Sequence, residues 1–393
     1  MYRKLLLFFT PCFLFAMSLS GQVRIRIFAA YNPGSAVFTV TSGGYELNTF
    51  NGPAIHLDDA GSVLVTRFNG KLAVKTRDDK AFLCDSAYIT GSSGKDFFSV
   101  RINNGKSLLQ SYTGDLRLYP DLGTILMINV CNVESYIAGV VKSEGGFGRN
   151  REYVKTQAIF ARTYMYKHFG RHLQDRYNLC DDIHCQAFHG ITTDTVINNA
   201  TRETRGLVVL DRDSNLVISA FHSNCGGETS VPEDVWLTSA SYLKSVIDPY
   251  CSTSSSARWD RRIPLSEWVA MLKKWGYHGN ADNPETFRFI QETRKHEYRI
   301  GSFTVPLNTI RSEFNLRSTF FSVIPEGNSL MLRGKGYGHG VGLCQEGAMV
   351  MARTGHTYKQ IIDFYYSGVI ITDIRNTLIL HKSRGTSYYV GGM

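Results

Sequence analysis

The sequence predicts an α+β protein: a β-rich N-terminal segment followed by a mixed α/β core that carries a small inserted segment. Three observations lead there. From Val23 to about Met127 apolar and polar residues alternate and are broken by Asn-Gly pairs. After Asn132 the apolar period becomes helical. From there strands and helices mix without the regular β-α alternation of a doubly wound sheet.

The elements follow in order. "VRIRIF" (23–28) alternates, and "VFTVTSGGYEL" turns at Gly43-Gly44. Asn69-Gly70 and Asn104-Gly105 each separate two apolar runs, a strong hairpin signal. Asn132 is placed to cap a helix through "VESYIAGVVKSE", with Glu134 in its first turn and Gly145-Gly146 at its end. A second helix spans "REYVKTQAIFARTYMYKHF", where Val154, Ala158, Ala161 and Met165 share a face, and Gly170 stops it. "GLVVLD" and "LVISAFHS" read as buried strands about a turn at 212–215, and "CSTSSSARWD" as a boundary loop. Further helices are expected in "PLSEWVAMLKKWG", "QEGAMVMARTG" and "TYKQIIDFYYSG". The expected division is a leader at 1–20, a β-rich domain at 22–127, a core at 128–250 and 318–372 interrupted by a smaller segment at 251–317, and a C-terminal strand or tail at 373–393.

The N-terminus has the form of a secretory signal peptide: basic "MYRK", a largely apolar stretch of thirteen residues, then small "SLSG", with cleavage near Ser20 or Gly21. The run is too short and too broken by Pro11 for a membrane span of about 20 residues, so cleavage is expected over an uncleaved N-terminal anchor. The expected location is secreted, periplasmic or cell-wall associated. Without Arg3 and Lys4, 41 basic residues face 34 acidic ones, a net charge of +7. A basic protein outside the cytoplasm suits anionic polysaccharide, cell wall or lipid headgroups. No dense Lys/Arg run interleaved with aromatics argues for nucleic acid. Seven cysteines remain after cleavage, so at least one is left unpaired or bound to metal.

Four features carry chemistry. Glu144 sits where a helix breaks into a glycine turn, and a carboxylate at that end of the macrodipole tends toward its protonated form, as a general acid needs. Lys155 and Arg162, seven residues apart on one face of the next helix, are candidates to bind an anionic substrate beside it. Cys180, His184 and Cys185, with His172 and His168 upstream, suit a structural zinc, a local disulfide being the alternative. Cys225 and Cys251 are expected to pair in a disulfide. Finally, "GKGYGHGVG" (334–342) alternates glycine with side chains. Read as an extended strand, it has one bare face, against which backbone or a flat ligand could lie. Tyr337 and His339, with Gln345 just beyond, are then candidate groove residues. The spacing does not fit a dinucleotide fingerprint, and no organic cofactor is expected.

Taken together, "INVCNVESYIAGVVKSE", "VKTQAIFARTY", "CDDIHCQAFHG", "FHSNCGGETS", "YLKSVIDPY" and "GKGYGHGVGLCQEGAMVMA" resemble the stage II sporulation protein D and amidase-enhancer family of bacterial cell-wall proteins, in family order over about 128–371. The resemblance implies a peptidoglycan lytic transglycosylase acting on glycan strands stripped of stem peptides, with Glu144 at the position of the catalytic glutamate. It also implies zinc at the Cys/His cluster of some members. Where members often carry Met-Pro after the glutamate, this chain has Gly145-Gly146. Such an enzyme needs a single acid/base, because the muramic C6 hydroxyl rather than water attacks C1. The alternatives are a non-catalytic glycan-binding enhancer of a cell-wall amidase, and a zinc hydrolase at the Cys/His cluster.

Overall fold

The computed structural model describes residues 21–377, apart from 105, 146, 147 and 237. The leader at 1–20, Gly146 of the glycine turn and the tail beyond 377 lie outside the described residues. The fold is α+β with a β-rich N-terminal part. One sheet runs Leu179–Cys180, Gln22–Arg26, Thr124–Asn132, Asp115–Asp121, Ala87–Gly91, Tyr45–Asn48, Ile55–Leu57. A second runs Lys106–Thr113, Phe97–Asn104, Ser35–Ser42, Ser62–Phe68, Lys71–Thr76, Ala81–Cys84.

Alternation puts Phe38 and Phe98 of the second sheet against Tyr45 of the first, with ring centroids 5.4 and 5.6 Å from Tyr45. Asn69-Gly70 closes a hairpin as expected, with φ of 47° and 78°, the left-handed pair of a type I′ turn. The turn at Gly43-Gly44 instead carries the chain from the second sheet into the first.

The first sheet is completed from the core. Strand Gln22–Arg26 pairs antiparallel with Thr124–Asn132 and parallel with Leu179–Cys180. The Asp181 carboxylate then accepts the Phe28 and Ala29 N–H groups at 2.5 and 3.0 Å. A single hydrophobic cluster therefore runs from Val23 through the sandwich into the helices.

Helix α1 spans Val133–Glu144 and α2 spans Arg151–Lys167. Asn132 and Asn150 cap them by accepting the Glu134 and Glu152 N–H groups. Both termini were readable because an Asn cap with an acidic residue in the first turn satisfies orphan N–H groups locally. Helix α3 (Thr195–Glu203) packs on both. Helices α4 (Glu233–Trp236), α5 (Leu265–Lys274), α6 (Leu307–Glu313), α7 (Gln345–Arg353) and α8 (Tyr358–Tyr365) follow. The small segment runs past the expected 317, because strands Phe321–Glu326 and Ser329–Lys335 pair with Arg258–Pro264 in a three-stranded sheet whose core is drawn from Trp259, Trp268, Leu272, Tyr298, Ile310 and Leu332 among others. No helix among the described residues is long and apolar enough to cross a membrane.

The glycine stretch departs from the extended strand expected of it. Only Gly334 and Lys335 lie in a strand; Gly336, Gly338, Gly340 and Gly342 all have positive φ. The close partner is the protein itself. A side chain at Gly334 would run into the Trp259 indole, and those at Gly336 and Gly338 would meet Asn224–Gly226 and His222. The glycines pack on 220–226, Trp259 and Arg294, so the close approach is made within the protein rather than by a ligand.

Candidate functional site

Glu144 is the last residue of α1 and is half-buried. Its Oε1 accepts the Ala187 N–H at 2.7 Å. Segment 187–190 reaches it because α1 carries Gly139 on that side: a side chain there would strike the Phe188 ring and the Gly190 carbonyl. Gln345, buried at the start of α7, donates Nε2–H to the Glu144 main-chain carbonyl at 2.7 Å. Tyr153 donates its hydroxyl to the Gly145 carbonyl at 2.7 Å. Two side chains thus hold carbonyls at the C-terminal end of α1, where a helix leaves them unpaired.

Burial pushes the Glu144 carboxyl above the usual glutamate range; the Ala187 N–H and the nearby His189 pull the other way without overcoming it. A glutamate in that state is suited to deliver a proton and take one back.

Next to it opens a cleft of about 870 Å³. One wall is Lys142, Arg149, His189 and Ile191 from the core. The other is Thr41, Phe97, Leu109 and Gln110 from the second sheet of the sandwich. Glu144 lies between Lys142 and Arg149 in the chain and is not itself a lining residue. Lys142 donates to the Ile191 carbonyl at 2.9 Å, and Arg149, mostly exposed, sits 3.6 Å from Asp194. The sequence reading passed over Lys142, Arg149 and His189, although the first two flank the glutamate. Their signal was proximity to Glu144 in the chain; that of His189 appears only when 187–190 is laid against Gly139.

The cations expected beside Glu144 are elsewhere. Arg162 is fully buried, bonded to both Glu134 oxygens (2.6 and 3.2 Å) and to the Leu207 carbonyl at 3.0 Å. It is a structural brace between α1, α2 and the strand Leu207–Leu210, and no substrate reaches it. Lys155 pairs with Glu152 at 2.7 Å and Glu203 at 3.3 Å. Helical spacing put the two on one face correctly, but that face is turned to α3 and α8.

His339 is likewise committed. Its Nε2 donates to the Phe221 carbonyl at 2.9 Å and its Nδ1 accepts the Val341 N–H at 3.1 Å. Burial pushes its pKa down to about 4, so the ring is neutral, as that donor–acceptor pattern requires. It is a backbone brace and not an outward-facing groove residue. Tyr337 is half exposed, with the Arg317 guanidinium 5.9 Å from its ring centroid. Gln345 reaches the Glu144 main chain rather than the cleft.

The Cys/His cluster comes together as expected and includes His172. The ligand atoms of His172, Cys180, His184 and Cys185 all lie within 4.8 Å of one another. Cys185 Sγ is 3.6 Å from His172 Nε2 and from His184 Nδ1, and Cys180 Sγ is 3.8 Å from His184 Nδ1. His168 turns away to Arg171. Cys225 and Cys251 are neighbours, with sulfurs 3.3 Å apart and no bond between them, and two further groups share their site: Asp248 and Cys344.

Fold and site define a class: an α+β protein with one partly buried helix-end carboxylate beside a cation-lined cleft and a four-donor Cys/His cluster. The profile of the family described as stage II sporulation protein matches residues 121–210, which hold α1, α2 and that cluster. The chain is 28% identical over 268 residues to an uncharacterized protein of Brachyspira hyodysenteriae, covering 67% of this chain and 72% of that one. It is 26% identical over 260 residues to stage II sporulation protein D of Bacillus subtilis (61% and 74%). It is 25% identical over 289 residues to the amidase enhancer of the same organism (60% and 40%), so it spans well under half of that protein. Over these residues the chain resembles the stage II sporulation protein D and amidase-enhancer family.

Proposed function

We propose that this cell-wall protein is a secreted peptidoglycan lytic transglycosylase with Glu144 as its single acid/base. The observation that carries the reading is the carboxyl of Glu144, raised by burial and held at a helix end beside a cleft lined with Lys142, Arg149 and His189. Protonated Glu144 gives its proton to the glycosidic oxygen as the bond to C1 of muramic acid breaks. The resulting carboxylate then takes the proton of the C6 hydroxyl as that oxygen closes on C1. Protons balance without water, so one carboxylate suffices. Glycans free of stem peptides carry a lactyl carboxylate on each muramic acid, and the cleft cations and the net +7 of the mature chain suit that charge.

Zinc fits the Cys/His cluster. Sulfur at about 2.3 Å and nitrogen at about 2.0–2.1 Å from a tetrahedral zinc lie about 3.6 Å apart, matching the observed 3.6–3.8 Å. Four protein donors leave no open position, so the metal's role is to close the loop 172–185. The zinc-hydrolase reading loses its basis with that open position. Stapling 180–185 also steadies Ala187, whose N–H holds Glu144.

Purified mature protein incubated with stem-peptide-free glycan strands should release 1,6-anhydro-muramic ends, and Glu144→Gln should not. The match to an amidase enhancer favours a second reading, in which the same cleft binds glycan and a cell-wall amidase is the partner. Glycan binding without anhydro ends, with stimulation of a purified amidase, would establish that reading instead.

A further inference from the structure

We propose a second, fully buried zinc site formed by Cys225, Cys251, Cys344 and Asp248. The four residues are at most 1% exposed, and their ligand atoms lie within 4.8 Å of one another. Cys225 Sγ is 3.3 Å from Cys251 Sγ and 3.2 Å from Asp248 Oδ2. The donors come from three separate stretches: the residues after strand Phe221–His222, the loop at 248–251, and the N-cap of α7.

Three features distinguish this cluster from a disulfide with bystanders. First, a Cys225–Cys251 bond would leave the Asp248 carboxylate enclosed with no cation in contact and would exclude Cys344, which shares the group. The contacts of Asp248 are the Tyr365 hydroxyl (2.9 Å), the Tyr250 N–H (2.8 Å) and the Cys225 thiol, with no cation among them. A buried carboxylate is normally paired or bound to metal. Second, backbone N–H groups of Cys225 and Gly347 point at Cys344 Sγ from 3.3 and 3.4 Å. Donors aimed at a sulfur are the outer-shell pattern of a metal-bound thiolate. Third, the cavity is shaped for Asp248: any side chain at Gly347 would strike its carboxylate and the Tyr365 hydroxyl.

Three soft thiolates and one carboxylate in a closed group of four select zinc. Binding converts the three thiols to metal-bound thiolates and releases their protons. The site ties 225 and 248–251 to the start of α7. Cys344 precedes Gln345, so the metal would also anchor the residue that holds the Glu144 carbonyl. The site does not depend on the catalytic reading.

Zinc counting on the intact mature chain tests it. Native mass spectrometry and elemental analysis should find two zinc ions in the wild type. In a Cys180→Ser, Cys185→Ser background one zinc should remain, and adding Cys344→Ser or Asp248→Asn should remove it. No zinc in that background, or zinc indifferent to both added changes, overturns the site. Where these variants do not fold, the wild type decides under non-reducing conditions. Cys225, Cys251 and Cys344 should resist alkylation until a chelator is added and then all react. A Cys225–Cys251 cross-linked peptide overturns the proposal.

Discussion

Gln345 and Glu144 are joined across 201 residues of sequence: the amide of one donates at 2.7 Å to the main-chain carbonyl of the other. The bond runs from the first residue of α7 to the last of α1, so the glycine-rich segment and α7 set where the carboxylate stands. Gln345 is a positioning residue. Gln345→Ala leaves the carbonyl unpaired, a loss of about 1 kcal/mol in stability. Turnover should fall by about tenfold or more, since small displacements of a catalytic group cost up to about 100-fold, while KM for denuded glycan stays put. An unchanged kcat in a folded variant would leave Gln345 with a purely structural role.

Glu144→Gln should lower activity by at least roughly 10²–10⁴-fold, the worth of general acid–base catalysis. Its stability effect has a definite pH sign. The folded-state pKa of Glu144 is raised, so its favourable contribution is full below the unfolded pKa and is lost as pH rises through the folded value. At neutral pH the buried carboxylate weakens the fold, and glutamine, still able to accept the Ala187 N–H, relieves this. Thermal unfolding should show the variant gaining most over wild type near pH 7 and least in acid. Wild-type activity should decline as pH rises past the same raised pKa.

Glu134→Gln should cost about 2–3 kcal/mol, somewhat less than the 3–5 typical of breaking a fully buried pair, because Glu134 keeps some contact with water. The loss should appear as a lower denaturant midpoint. KM for glycan in the folded fraction should be unchanged, whereas a substrate-binding role for Arg162 would raise it.

His339→Phe fills the ring's volume but leaves the Phe221 carbonyl and the Val341 N–H unpaired, at about 1–3 kcal/mol. With its folded pKa lowered to about 4, neutral His339 contributes stability above its unfolded pKa, and the contribution drains away as pH falls toward 4. The gap between wild type and variant should therefore narrow in acid. A gap that stays constant with pH would mean that His339 does not titrate as a buried neutral ring.

Much of this was readable along the chain because it is enforced locally. An Asn followed by an acidic residue caps a helix wherever the helix sits, and Asn-Gly closes a hairpin through its own backbone preference. Those rules located α1 and α2, the hairpin at 69–70 and the place of Glu144 at the end of α1. The Cys/His cluster was legible for the same reason, its four donors falling within fourteen residues.

What tertiary structure decided is who faces whom over long separations. Alternating glycines announce a close approach but not its partner, and the partners proved to be 220–226, Trp259 and Arg294. Two basic residues seven apart share a helix face, yet only packing shows that the face is filled by Glu134, Glu203 and neighbouring carbonyls. Cys344 stands 93 residues beyond Cys251, and no local pattern links the two. Sequence determined which groups have chemistry to offer. Burial, which depends on contacts made by distant segments, determined which are spent on the fold and which, like Arg149 at the cleft, stay mostly exposed.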